Sequence, residues 1–292
     1  MTAEPDGFGT RLRRVTSARG AFCVGIDPHP ELLRDWGLRD DSDGLARFAD
    51  TVVGALAAET AVLKPQSAFF ERHGARGVAV LEQTVRAARE AGALVVLDGK
   101  RGDIGSTAQA YADAYLAASA PLAVDALTVH PYLGFGSLRP FLDTAHVSGA
   151  GVFVLALTSN PEGAAVQRAR VVTEDVGGGG IASTVAGQVL AAVRAANAER
   201  AVDDAGDGSV GCVVGATADP LTDDLDVGGP LLVPGLGAQG GTVGDVTRVF
   251  GAVLHRVLPS ASRSVLGAGP GAATLRAAAL RHRDDLAAVL SA

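Results

Sequence analysis

Eight short runs of near-continuous apolar residues recur along the chain, and their alternation with longer helix-like stretches most limits the fold. The runs are FCVGID (22–27), AVLKPQ (61–66), LVVLDGK (94–100), AVDALTVHP (123–131), GVFVLALT (151–158), VGCVVGAT (210–217), LLVPGLG (231–237) and a weaker SRSVLGAG (262–269). Apolar residues at nearly every position, rather than every second one, mean burial on both faces, as in parallel sheets covered by helices. Helical character falls between the runs, over 43–59, 75–91, 105–119, 135–148, 181–199, 242–257 and 270–290. Eight β/α units in 292 residues predict an α/β fold of the (β/α)8 barrel (TIM barrel) type, as a single domain over 1–292. An open doubly wound sheet is the alternative.

Bulk properties narrow the partners. The net charge is −7 and the sequence has no run of Lys or Arg. A nucleic acid or an anionic membrane, each of which attracts a positive surface, is therefore not an expected partner. No apolar run approaches the roughly 20 residues that a membrane-spanning helix needs. The first residues, MTAEPDGFGTRLRR, carry acids and lack the apolar core of a signal peptide. A soluble, cytoplasmic protein is expected. Cys23 and Cys212 both fall inside apolar runs and read as buried free thiols. The six histidines show no HxH or HExxH spacing, so no metal site is expected. His130, ending the fourth run, reads as a residue packed near the site.

Charge gathers where a barrel keeps its chemistry, at the C-terminal ends of strands and in the loops after them. The stretch LDGKRGDIGSTAQAY (97–111) ends the third run with Asp98, Lys100, Arg101 and Asp103 within six residues. Two of the 25 basic residues are lysine, Lys64 and Lys100, and all others are arginine. Lysine kept only at the ends of two strands predicts sites that need a compact ammonium able to release a proton. The first strand ends in Asp27, the second in Lys64, the third in Asp98 and Lys100, and the fifth in Thr158-Ser159-Asn160. Residues i and i+2 share a strand face. Asp98 and Lys100 therefore point the same way, and charges from neighbouring strands interleave, each offsetting part of the other's burial cost. A purely structural ion-pair network is the alternative.

The seventh run leads into PGLGAQGG (234–241), which contains G-x-G-x-x-G across Gly235, Gly237 and Gly240. A dinucleotide fingerprint would open the first β/α unit. After the seventh strand, the glycines predict a phosphate cradle of backbone N–H groups instead, with Arg263 adding a charge-assisted bond. The Gly- and Asp-rich segments 174–180, 203–209 and 219–229 read as surface connections, the first of them a candidate lid.

The motif D-x-K-x-x-D-[IV]-x-x-T is met in full by Asp98, Lys100, Asp103, Ile104 and Thr107. GIDP with Asp27, LKPQSAFFE with Lys64, LTSNPEG with Ser159, and VPGLGAQGG with Pro234, Gln239 and Gly240 occur in the matching order. Over about residues 20–270 the sequence thereby resembles the orotidine 5′-phosphate decarboxylase family, in its longer bacterial (type 2) branch. One departure lies at the eighth strand, where the family's commoner form has an arginine directly after a strand-end glycine. SASRSVLGAG offers Arg263 without that glycine.

The resemblance implies a (β/α)8 barrel, a homodimer with shared active sites, and no metal or organic cofactor. It implies decarboxylation of orotidine 5′-phosphate to UMP, the last step of de novo pyrimidine synthesis. Lys100 would stabilise and protonate the C6 carbanion, and Asp98 would lie against the departing carboxylate. Lys64 and Asp27 would order the charges and hold ribose hydroxyls, and Ser159 would read the pyrimidine amide. Gln239 and Arg263 would hold the phosphate, beside Pro234 and Gly240. Asp103, Ile104 and Thr107 would serve the neighbouring subunit's site, with Asp103 and Thr107 at its ribose. Three other readings stay open. They are a Mg²⁺-dependent sugar-phosphate decarboxylase sharing D-x-K-x-x-D, a Schiff-base aldolase needing a neutral lysine, and a non-catalytic nucleotide-binding module.

Overall fold

The computed structural model describes residues 6–172, 182–200, 207–218, 223–237 and 240–290. Its strands are β1 (Cys23–Ile26), β2 (Val62–Pro65), β3 (Leu94–Arg101), β4 (Ala126–Val129), β5 (Gly151–Leu157), an outlying antiparallel pair β6 (Arg170–Val172) and β7 (Ala182–Thr184), then β8 (Val210–Val214), β9 (Leu231–Val233) and β10 (Val257–Ala261). Eight of them form a closed parallel barrel in the order β1-β2-β3-β4-β5-β8-β9-β10, and Cys23 pairing with Ser260 and Val24 with Ala261 closes it. The helices are α1 (Phe8–Arg19), α2 (Pro30–Asp35), α3 (Ser42–Leu56), α4 (Ser67–Glu71), α5 (Gly74–Glu90), α6 (Gly105–Tyr115), α7 (Arg139–Ser148), α8 (Ala164–Gln167), α9 (Val185–Glu199), α10 (Val243–Phe250), α11 (Arg263–Leu266) and α12 (Ala272–Leu290). Among the described residues no helix is long and apolar enough to cross a membrane.

Seven of the eight apolar runs contain barrel strands; the eighth does not. The strand expected over 262–269 is the earlier VLPSA of β10, and Arg263 opens the short helix α11 instead. Pro259 and Ser260 are weak strand formers, so local preference hides β10. The Val and Leu of SRSVLGAG are buried by α11, with both Val265 and Leu266 fully inaccessible. The helix expected over 242–257 likewise stops at Phe250, and a 3₁₀ segment leads into β10.

The alternation of side chains along each strand divides the strands between two cores. Val62, Leu94, Val96, Ala126, Phe153, Val213, Leu232 and Leu258 form the barrel interior with Phe8 and Leu12 of α1. Val24, Ile26, Leu63, Val95 and Leu97 pack outward against the helices. Stepping by two along the inward columns leads from apolar to polar residues. Val62 is followed by Lys64, Val96 by Asp98, Ala126 by Thr128, and Leu258 by Ser260. One end of the barrel is therefore a hydrophobic plug and the other a polar mouth.

The plug includes α1, which the sequence pattern does not announce, because FGTRLRRVTSAR is arginine-rich and buries only Phe8, Gly9 and Leu12. The Phe8 ring meets Phe153 edge-on at 5.7 Å between centroids. Gly151 makes room for it, since a Cβ there would stand 2.4 Å from Phe8 Cδ1. Arg11 secures the helix through Nη1 to the buried Asp125 carboxylate at 2.5 Å and Nη2 to the Gly149 carbonyl at 2.9 Å. Phe8→Ala is expected to lower unfolding stability by about 3–5 kcal/mol, the usual cost of emptying a phenylalanine site. Denaturant unfolding checks this, and a loss below about 1 kcal/mol would show that the plug is dispensable. Cys23 and Cys212 are buried free thiols. Burial pushes Cys23 up to about 11, so it stays a thiol at neutral pH.

Candidate active site

The inward polar residues meet in a cleft of about 450 Å³ at the C-terminal mouth of the barrel. Asp27, Lys64, Asp98, Lys100, Ser159, Pro234 and Arg263 all line it. Asp98 is the centre. Lys64 Nζ donates to its Oδ2 at 2.8 Å and Lys100 Nζ to its Oδ1 at 2.5 Å. Thr128 joins the array, its hydroxyl donating to Asp98 Oδ1 at 3.1 Å and accepting from Lys100 N at 3.0 Å. The lysines differ in setting. Lys64 is 6% exposed within the wall, whereas the Lys100 side chain is 45% exposed and reaches the open cleft.

Burial by itself would raise the Asp98 pKa, but the Lys64 and Lys100 ammonium groups outweigh it and hold the carboxyl below the usual range. Burial would also lower Lys64, but Asp98 and then Asp27 outweigh that and raise it. Both groups stay ionised at neutral pH. A Schiff-base nucleophile needs a neutral amine, so Lys64 is a poor candidate for one. Asp27 Oδ1 is buried without a hydrogen-bond partner among the described residues. That leaves a carboxylate oxygen in the cleft wall able to accept from a ligand hydroxyl.

The backbone of β3 aims Lys100. The ladder with β4 shifts register between Leu97 and Arg101. Lys100 sits at φ 44°, a left-handed conformation that costs a residue with a Cβ about 1–2 kcal/mol. A Cβ on Gly99 beside it would stand 3.1 Å from Leu127 Cδ1 and press on that side chain.

Other expected site residues lie elsewhere. Asp103, Ile104 and Thr107 follow β3, in the connection and first turn of α6, and none lines the cleft. Asp103 Oδ1 accepts from Ile104 N at 2.8 Å, and the Ile104 side chain is 63% exposed. Tyr132 and Leu133, after β4, are also exposed apolar residues. Gly240 is not in the cleft wall. It belongs to a loop that bonds to itself, Gly240 N to Gly237 O at 2.8 Å and Gly241 N to Gly235 O at 3.0 Å. Its glycines have φ of 102°, 72° and 89° at Gly235, Gly237 and Gly240. Gln239 and the segment 174–180 lie outside the described residues. Arg263 sits at the mouth with no carboxylate partner among the described residues.

Sequence reasoning missed Thr128, although it stands two residues on from Ala126 in an inward column. It also missed His29, Gln66, Phe69 and Ser262 in the cleft wall, whose residue types carry no local signal. His130 packs against Gly102, where a Cβ would lie 2.6 Å from its ring, and does not line the cleft.

Residues 20–278 match the family model described as Orotidine 5'-phosphate decarboxylase / HUMPS family. An orotidine 5'-phosphate decarboxylase of Salinispora arenicola is 59% identical over 287 residues, 98% of this chain and 99% of the relative. One from Streptomyces coelicolor is 57% identical over 289 residues, again 98% and 99% of the two chains. Among solved structures, a provisionally assigned orotidine 5'-phosphate decarboxylase from Streptomyces avermitilis superposes with a TM-score of 0.92 at 55% identity, covering 99% of this chain and 98% of that one. The OMP decarboxylase of Leishmania donovani does so at 0.74 with 28% identity, covering 98% and 100%. With the barrel, the charged mouth and near-full-length relatives in agreement, the chain belongs to the orotidine 5′-phosphate decarboxylase / HUMPS family.

Proposed function

We propose that the protein decarboxylates orotidine 5′-phosphate to UMP and that Lys100 carries the chemistry. The observation behind this is Asp98 held as a carboxylate between the buried Lys64 and the cleft-facing Lys100. When the C6–carboxylate bond breaks, its electron pair stays on C6 with little resonance help. It needs a nearby positive charge and then a proton. The Lys100 ammonium supplies the charge as it develops and donates its proton to C6 as CO₂ departs, and solvent returns the lysine's proton. Asp98 stands against the leaving carboxylate, and their repulsion falls as neutral CO₂ forms.

Lys64 holds Asp98 in place, and with Asp27 it binds ribose hydroxyls. Ser159 reads the pyrimidine amide beside Pro234. Arg263 and Gln239 take the phosphate, with Gly240 beside it, and the remote binding energy of that group raises the rate at the reacting carbon. Asp103, Ile104 and Thr107 leave their own cleft and, with the exposed Tyr132 and Leu133 nearby, suit an interface between two copies of the chain. In that homodimer they complete the partner's site at the ribose and the partner's Lys100.

Loss of orotidine 5′-phosphate absorbance is expected to continue unchanged in protein treated with EDTA. A stop on chelation, restored by Mg²⁺, would favour the sugar-phosphate decarboxylase reading. Arg263→Ala is expected to lower kcat/KM for orotidine 5′-phosphate by about 10–150-fold, the worth of a bond to a charged group, and to affect orotidine far less. Equal losses for the two substrates would remove Arg263 from the phosphate.

A further inference from the structure

Of the four charges at and just beyond the end of β3, the chemistry above uses Asp98, Lys100 and Asp103 and leaves Arg101 without a task. Arg101 does not line the cleft. Its side chain folds back along its own strand, and Nη1 donates to the Gly99 carbonyl at 3.0 Å. That bond spans Lys100, tying the residue after it to the residue before it. Nη2 donates to the Tyr115 hydroxyl at 3.1 Å and pairs with Glu71 of α4. The guanidinium also lies 5.6 Å and 5.5 Å from the ring centroids of Tyr111 and Tyr115 on α6. The Arg101 carbonyl accepts from His130 N at 2.9 Å, which anchors the same residue to the end of β4.

Between these ties sits Lys100, alone among the described non-glycine residues in having a positive φ. Strained backbone persists only where its surroundings over-determine it, and the strain here is at the residue whose ammonium must meet Asp98 and C6. We propose that Arg101 is a positioning residue, a clamp that fixes the Gly99–Lys100–Arg101 backbone so that Lys100 keeps its left-handed turn and its aim. The proposal rests on the reading of Lys100 as the reacting group. It also explains why an arginine stands directly beside a lysine. The clamp needs two nitrogens bonding in different directions and flat faces against two rings, which a guanidinium has and a single ammonium lacks.

The test compares Arg101→Lys and Arg101→Met with the parent chain, measuring kcat and KM for orotidine 5′-phosphate, Kd for UMP, and Tm. Misplacing a reacting group by about 1 Å costs on the order of a hundredfold, so kcat should fall by about that factor in both variants. KM and the UMP Kd should stay within about threefold, because the residues proposed to hold the nucleotide are untouched. Arg101→Lys, although it keeps the charge, should not rescue kcat. A residue that merely props the fold would lower Tm while folded enzyme kept its kcat, and that result overturns the proposal. So does a kcat within about threefold of the parent in either variant.

Should neither variant fold, Glu71→Met removes one anchor of the clamp at similar size, because its thioether is only a weak acceptor for the guanidinium. It should lower kcat by about tenfold with KM unchanged, since ground-state binding is intact; an unchanged kcat overturns the clamp. A parent chain without orotidine 5′-phosphate turnover would overturn the functional reading itself. An active parent with fully active variants would overturn only the role of Arg101.

Discussion

Lys100→Arg is expected to cost turnover about a thousandfold or more, at the upper part of what a positioned proton donor contributes, while UMP still binds. The substitution keeps the positive charge and adds no carboxylate, so it separates charge from proton transfer. A guanidinium is a poor proton donor at neutral pH and larger than an ammonium. The contact with Asp98 is also close. Lys100 Nζ reaches Asp98 Oδ1 at 2.5 Å over a backbone already in a left-handed turn. Arginine at 23 other positions shows that this sequence accepts it freely elsewhere. Absorbance assays on orotidine 5′-phosphate and titration with UMP measure the two effects separately. Turnover within about tenfold of the parent, a loss of only ~1.4 kcal/mol, would remove proton donation from Lys100.

Lys100→Ala and Asp103→Ala are each expected to be nearly inactive alone and to restore one another when co-expressed. In the structure Lys100 faces the cleft of its own barrel, whereas Asp103 lies beyond the strand end, bonded to the backbone of Ile104 and outside that cleft. If Asp103 completes the partner's site, a mixed dimer gathers both lesions in one site and leaves the other intact. Random pairing makes half the dimers mixed, and half of their sites are whole. Recovery to about a quarter of parent activity then follows from a two-fold interface. Mixed dimers verified by differential tags and still inactive would place Asp103 within its own chain and end the shared-site proposal. A monomer by sedimentation at assay concentration would end it too.

Most of the barrel was legible because burial on both faces writes itself into the sequence as continuous apolar runs. The inward columns could also be counted. Lys64, Asp98 and Lys100 stand at period-two positions beyond apolar residues, and so they were found. Thr128 obeys the same count, two residues on from Ala126. The last strand was misplaced because Pro259 and Ser260 have little strand preference of their own. Their place in the sheet comes from β1 and β9, through the pairs Cys23–Ser260 and Pro259–Val233.

Residue order states which types stand at the strand ends, and with them the chemistry available: two lysines and their carboxylates in a chain whose other Lys/Arg positions are all arginine. Tertiary structure decided how those charges meet, with Asp98 between two ammonium groups and the Thr128 hydroxyl on the same oxygen as Lys100. Asp98 and Asp103 are five residues apart, yet one faces the barrel mouth and the other does not, because the chain leaves the strand between them. It also decided that an arginine-rich first helix plugs the barrel and that Arg101 turns back over Lys100. The physical reason is that local pattern records whether a residue's own surroundings are apolar. The aim of a side chain is set by partners distant in the chain: Glu71 lies 30 residues from Arg101, and Phe8 meets the ring of Phe153, far along the sequence from it.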